Sequence, residues 1–390
     1  MLPEEKKTMA PISGAPRALS RRRLSLGAVA LAATALLGFG APAKAQETVK
    51  LGFIGPLSGG NAQQGLAARN GFQLAVDQAN AAGLPFKIEP VILDDAANPQ
   101  TGVSAALKLT NDPKVVAATG HWNSGVALAT IPVFSRAGVP FVIWGAISPK
   151  ITEKNNPMVS RVVTTLVNTN APLAKWAAAN IGKRIAIVSD TSDYGAANLD
   201  NFKKFFEADG GTIIAAESAP VGTTDFRALL TKIKAANPDA IYFGGVVAEA
   251  GLVRQQMAQL GMTQPMIGVD GFYDQEFIKI AGPAATGTIV GIAKEVGNPK
   301  LDAMTEAYKG ANFAEPVGSY TKNAYDATNI IIEALKTAGT KDKAAIAKAI
   351  RAIDYDGAMG RTSFDENGQT KRAVVLELRE VKDGAWVTRP

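Results

Sequence analysis

The sequence predicts an α/β fold built from two doubly wound parallel-sheet lobes, and three observations lead there. From Thr48 onward, short β-branched runs alternate with longer amphipathic stretches, the order expected of parallel βαβ units. The alternation runs through two series that part near residues 161–163. A chain of 390 residues also exceeds what one ordinary core usually spans, which favours two domains.

In the first series the apolar run at 49–54 reads as a strand, and 65–82 as a helix stopped by Gly83. Residues 86–93 form a second strand, 101–110 a helix, 115–119 a third strand, 125–136 a helix and 141–144 a fourth strand. The second series opens with a helix at 171–180 and the strand at 184–189. It continues with a helix at 199–208, a strand at 212–216 and a helix at 226–236. A strand at 240–243, a helix at 250–260 and a strand at 266–269 complete it. Helices at 300–308, 319–337 and 343–352 follow with no strands of their own to cover, so they are expected to pack back on the first series. Strands at 373–380 and 386–388 close the chain. A chain that leaves a lobe, builds another and returns makes two bodies able to hinge.

Residues 1–45 are different in kind. Arg21, Arg22 and Arg23 precede an apolar run over 24–39, and Ala43-Lys44-Ala45 follows as a small-residue cleavage site. That order describes a secretory signal peptide, with Gln46 the first mature residue and Met1 or Met9 the start. The run is short of the about 20 residues of a spanning helix, and the arginines also admit twin-arginine export. The chain's formal net charge of +6 includes seven basic and two acidic leader residues, which leaves the mature part at +1. A near-neutral protein without basic runs lacks the electrostatic footprint of a nucleic-acid or anionic-lipid binder.

Cysteine is absent and His121 is the single histidine. An exported chain of this kind has neither disulfides nor thiolate ligands, and one histidine removes most zinc and iron sites. Asp94-Asp95 and Asp354-Tyr-Asp356 lack the ligand spacing of a calcium loop. No metal is expected. The nucleophile elbow GxSxG does not occur, and a triad would have to join His121 to Ser124, whose side chains should diverge on a strand-to-helix turn. Gly120 and Gly125 have the outer spacing of a phosphate loop, but Val126 and Ala127 stand where Lys and Ser/Thr belong. GPLSGG at 55–60 is not a dinucleotide fingerprint. The reading is therefore of no catalytic residue and no cofactor, with His121 a hydrogen-bonded structural histidine.

Asn123-Ser124-Gly125 lies just past the third strand and opens a helix, where free N–H groups and the helix dipole favour an anion and the Ser124 hydroxyl adds a donor. The plainer alternative makes Ser124 an N-cap that serves only its own helix. Trp122 and Trp144 stand at the carboxyl ends of neighbouring strands, the rim where doubly wound sheets bind ligands, so they read as pocket walls; core packing is the alternative.

Across residues 48–380 the sequence resembles the solute-binding proteins of ABC importers, in the branch that includes leucine/isoleucine/valine-binding proteins. The stretches that carry the resemblance are IGPLSG at 54–59 with Gln63, LDDA at 93–96 with Pro99, Gly120-His121 with Ser124, and SPKIT at 148–152. Further along come IAIVSD at 185–190 with Tyr194-Gly195, YFGG at 242–245, Asp270-Gly271, and Met359-Gly360 with Phe364-Asp365. The resemblance implies the type I periplasmic binding fold, its lobes joined by a three-stranded hinge: 46–164 with 295–370, and 165–294 with 371–390. It implies that Ser124, with the backbone at Gly145 and Ile147, holds an α-carboxylate, that Tyr194 closes over it, and that Asp270 answers an ammonium. Trp122, Asn123, Ala146 and Val246 complete the expected site.

Ile147 stands where leucine-binding relatives carry a threonine, and Val246 where they carry a tyrosine, so two polar contacts are lost. Ala97 and Asn123 replace a cysteine pair, and Trp122 and Trp144 replace leucine and proline, which implies a wider or more aromatic pocket. The expected protein is a monomeric periplasmic receptor that hands a branched-chain or other apolar amino acid to an inner-membrane permease. Alternatives are an organic acid without an amine, aromatic or otherwise, a ligand sensor of the same fold, and an exported hydrolase using Ser124 and His121.

Overall fold

The computed structural model describes residues 47–390; the expected leader lies outside them. Five parallel strands make the first sheet: β1 (Glu47–Gly55), β2 (Phe86–Asp94), β3 (Val115–Thr119), β4 (Phe141–Ile143) and β5 (Val159–Arg161), in the order β2-β1-β3-β4-β5. Helices α1 (Ala62–Ala81), α2 (Pro99–Thr110) and α3 (Ser124–Arg136) connect them. All five residues of β3 are buried, as a central strand covered on both faces requires.

After β5 the chain enters α4 (Leu166–Asn180) and builds the second sheet with β6 (Arg184–Asp190), α5 (Asp193–Ala208), β7 (Thr212–Ala219), α6 (Arg227–Ala236), β8 (Ala240–Gly244), α7 (Val247–Gln259), β9 (Met266–Val269), α8 (Gln275–Ala281) and β10 (Ile289–Ala293). It then returns as α9 (Pro299–Gly310), α10 (Thr321–Ala338) and α11 (Lys343–Ala352), which lie with the first sheet: α10 packs on α1 and β3, and α11 on β3 and β5. A hairpin of β11 (Asp354–Gly357) and β12 (Gly360–Ser363) precedes the last crossing, to β13 (Leu376–Lys382) and β14 (Ala385–Arg389). These two add antiparallel strands to the second sheet, whose order is β14-β13-β10-β9-β8-β6-β7. Asp383 and Gly384 join them with positive φ at both positions, the geometry of a two-residue hairpin turn.

Side-chain alternation sorts the second core. Ile185 and Ile187 of β6 face α4 and α5 beside Phe202 and Phe206, whereas Ala186 and Val188 face α6 to α8 beside Leu230 and Val253. The chain crosses between the sheets three times, after β5, after β10 and after β12.

Most expected elements are present, with instructive differences. Strands β5 and β10, helix α8 and the β11–β12 hairpin go beyond the sequence reading; each is short, and β10 exists through long-range pairing with β9 and β13. Helix α5 starts at Asp193 rather than 199, because the Ser192 hydroxyl accepts from Gly195 N–H (3.1 Å) and begins the helix there. Gly195 is required at that turn, since a Cβ would collide with the Asp190 carbonyl.

Candidate binding site

The carboxyl ends of both sheets meet around a cavity of about 340 Å³. From the first lobe Trp122, Asn123, Ser124, Gly145 and Ile147 line it, and from the second Tyr194, Val246 and Asp270. Eight of the nine residues singled out from the sequence thus share one space. The ninth, Ala146, does not: it is fully buried in the core behind the loop, its N–H bonded to the His121 carbonyl (3.0 Å).

Ser124 is the first residue of α3, and Asn123 holds the N-cap position without any side-chain capping bond. The first helical bond runs from Ala127 N–H to Asn123 C=O (3.0 Å), so the N–H groups of Ser124, Gly125 and Val126 have no acceptor within the helix. Ser124 Oγ accepts from Ser148 N–H (3.2 Å), which leaves its proton free to donate. The plain N-cap role considered for Ser124 is therefore corrected: its hydroxyl joins two loops at the cavity wall.

On the opposite wall Asp270 follows β9. Burial pushes its carboxyl up to about 6. Its Oδ1 is sealed from solvent and, like Asn123 Oδ1, has no hydrogen-bond partner among the described residues; Tyr194 Oη is equally sealed, with only Asn198 near it. Buried polar atoms are almost always paired, and these three line one cavity, where the polar groups of a guest could reach them. Burial also raises the Tyr194 and Tyr320 hydroxyls well above their ordinary value, keeping both neutral donors. A Cβ at position 271 would strike Tyr194 Oη, so Gly271 makes room for that hydroxyl.

The aromatic wall differs from expectation. Trp144 is fully buried and stacks on Phe53, ring centroids 5.9 Å apart at 9°, outside the cavity. Trp122 does line it, and its aromatic partner is Tyr320, edge-on at 6.2 Å. Tyr320 precedes α10, far along the chain, and the sequence reading placed it inside a helix; its position directly before a helix start was the available signal.

His121 is wholly buried. Its Nδ1 lies 2.7 Å from Asp95 Oδ2 and its Nε2 2.9 Å from Thr130 Oγ1, so both ring nitrogens are occupied away from Ser124. The Ser124–His121 pair that a hydrolase would need is not formed. Among the described residues no cluster of His, Cys, Asp and Glu could hold a metal.

The cavity can thus meet a negative group with main-chain donors at the start of α3, a positive group with Asp270, and an apolar body with Ile147, Val246 and Trp122. A profile of the family described as periplasmic binding protein matches residues 48–385. The chain is 32% identical over 345 residues, 87% of its length and 92% of the relative's, to the leucine-, isoleucine-, valine-, threonine-, and alanine-binding protein of Pseudomonas aeruginosa. Among solved structures it is similar to a leucine-binding protein from Thermotoga maritima, with 29% identity and a TM-score of 0.78 over 88% of this chain and 98% of that one. It is also similar to a branched-chain amino acid transporter substrate binding protein from Streptococcus pneumoniae in complex with isoleucine, with 28% identity and a TM-score of 0.78 over 88% of this chain and 100% of that one.

Proposed function

The chain belongs to the periplasmic binding protein family, of the branched-chain amino acid transporter type, and from that premise we propose that it captures an apolar amino acid between its lobes. It then delivers the ligand to the membrane permease of an ABC importer, acting as a monomer exported by a cleavable signal peptide. No bond is made or broken; the protein binds, closes and releases.

The observation that carries this reading is the pairing, across one cavity, of the uncapped start of α3 with the unpartnered Asp270 carboxylate. An α-carboxylate suits the first and an α-ammonium the second, each through charge-assisted bonds. Ile147 and Val246 then cover an aliphatic side chain. Micromolar affinity corresponds to about 8 kcal/mol, within reach of a few such bonds and one buried apolar group.

A second reading, an aromatic or other organic acid without an amine, is favoured by the Trp122–Tyr320 wall and the apolar Ile147. Titration calorimetry against leucine, isoleucine, valine and a set of aromatic acids tests both. Heat from the aliphatic amino acids is expected, and heat from the aromatic acids alone removes the amino-acid reading.

A further inference from the structure

Arg161 ends β5 and is completely buried, yet its guanidinium meets only neutral acceptors. Nε donates to Gln369 Oε1 (2.7 Å), Nη1 to the Ser148 carbonyl (2.6 Å) and the Ala146 carbonyl (3.3 Å), and Nη2 to Thr152 Oγ1 (2.8 Å). Asp365 and Glu153 act on it only from longer range, and burial lowers its pKa to about 9, so it carries its charge at neutral pH. A buried cation without a bonded counter-ion is costly and calls for an offset.

The two carbonyls flank Ile147. The Ala146 carbonyl and the Ile147 N–H belong to one peptide group, so a guanidinium on the oxygen polarises and orients that N–H. The Ile147 N–H has no acceptor among the described residues, and Ile147 lines the cavity. The next residue's N–H, on Ser148, goes to Ser124 Oγ, which ties the same loop to the start of α3. Gln369 lies on the last crossing between the lobes and also donates to the Val163 carbonyl (2.8 Å) on the first. A glutamate there would neutralise Arg161 with little change of shape; the neutral amide leaves the charge uncompensated.

We infer that Arg161 is a positioning residue and the hidden counter-charge of the site: it aims the Ile147 N–H at the ligand's carboxylate and gives that end of the cavity a positive potential. This rests on the proposal that a carboxylate binds at the start of α3. It also explains why a cation is held behind the loop without an acid of its own.

The test compares L-leucine with L-leucinamide, which differ in the charge of that one group, for the wild type, Gln369→Glu, Gln369→Leu and Arg161→Met. Gln369→Glu is expected to weaken leucine binding about tenfold and leave leucinamide within about twofold. Gln369→Leu, which removes the hydrogen bonds but adds no charge, keeps the wild-type ratio. Arg161→Met, where it folds, lowers the ratio at least as far as Gln369→Glu. Equal losses for acid and amide in Gln369→Glu, or no loss, overturn the inference. Should the wild type bind neither probe, the amino-acid proposal alone falls, and an acetate titration followed at the Ile147 amide resonance decides. A shift in the wild type that shrinks in Gln369→Glu upholds the role of Arg161; no shift in the wild type overturns it.

Discussion

Helices α3 and α5 start at corresponding places, each just past the carboxyl end of a parallel strand, yet the two ends are finished differently. In the second lobe the Ser192 hydroxyl accepts from Gly195 N–H, and the buried Asp190 carboxylate accepts from Ser192 N–H (2.8 Å). In the first lobe the start of α3 has no side-chain cap. The same local geometry is closed by the protein's own groups on one wall and has no side-chain cap on the other, where the proposed anion would sit. Parallel sheets turn positive helix ends toward the cleft from both sides, so the main chain readily takes an anion but offers nothing to a cation. The second lobe places carboxylates there, and among the described residues Asp270 Oδ1 has no partner.

The contrast makes Asp270→Asn the most damaging single change for an amino-acid ligand. Leaving a buried ammonium unpaired costs about 3 kcal/mol, a loss of roughly a hundredfold in affinity, to be read by calorimetry. An unchanged affinity would mean that the second wall reads no positive charge, and the two walls would differ in shape alone.

The pH dependence sharpens the same point. Asp270 could hold an ammonium only when ionised, and burial pushes its carboxyl up to about 6. Affinity is expected to fall about tenfold per pH unit below that value and to lose this slope in Asp270→Asn. Without ligand the sign reverses. A folded-state value raised above the ordinary 3.8 favours the fold while the group is protonated. That contribution is fully present below the ordinary value and is lost as the pH rises through about 6. Asp270→Asn should therefore raise the melting temperature of the empty protein at pH 7 and leave it nearly unchanged at pH 4.

Reading such a site from sequence succeeds where local pattern determines position. Strands β1, β3, β6 and β8 are apolar runs followed by helical periodicity, so the pattern alone places their carboxyl ends and, after β3, Ser124; Asp270, just past β9, is reached only through the family resemblance. Beyond a strand's end the period of two stops and side-chain direction is no longer encoded. That is why Ala146 and Trp144 point into the core while Gly145 and Ile147 line the cavity. Tyr320 arrives from α10 through tertiary packing alone. Arg161 gives no sign of the role inferred for it because its partners are backbone carbonyls, the Thr152 hydroxyl and Gln369, more than 200 positions away.

The two lobes are also joined directly, which yields the smallest expected effect. Gln64, in the first turn of α1, donates from Nε2 to Asp274 Oδ2 (2.7 Å), and Asp274 also caps α8 of the second lobe through Glu276 N–H (2.8 Å). This bond spans the two lobes, so under the proposed closure it would favour the form in which they are together, away from both charged ends of an amino-acid ligand. Removing it costs about 1 kcal/mol of closure, and Gln64→Ala is expected to speed ligand release about fivefold with little change in association rate. Gln64→Glu, which sets a carboxylate against Asp274, should speed it further by like-charge repulsion. Stopped-flow release at two ionic strengths separates the cases, because added salt slows release from Gln64→Glu and leaves Gln64→Ala nearly unchanged. If neither variant alters release, closure is governed by the ligand's two charged ends alone.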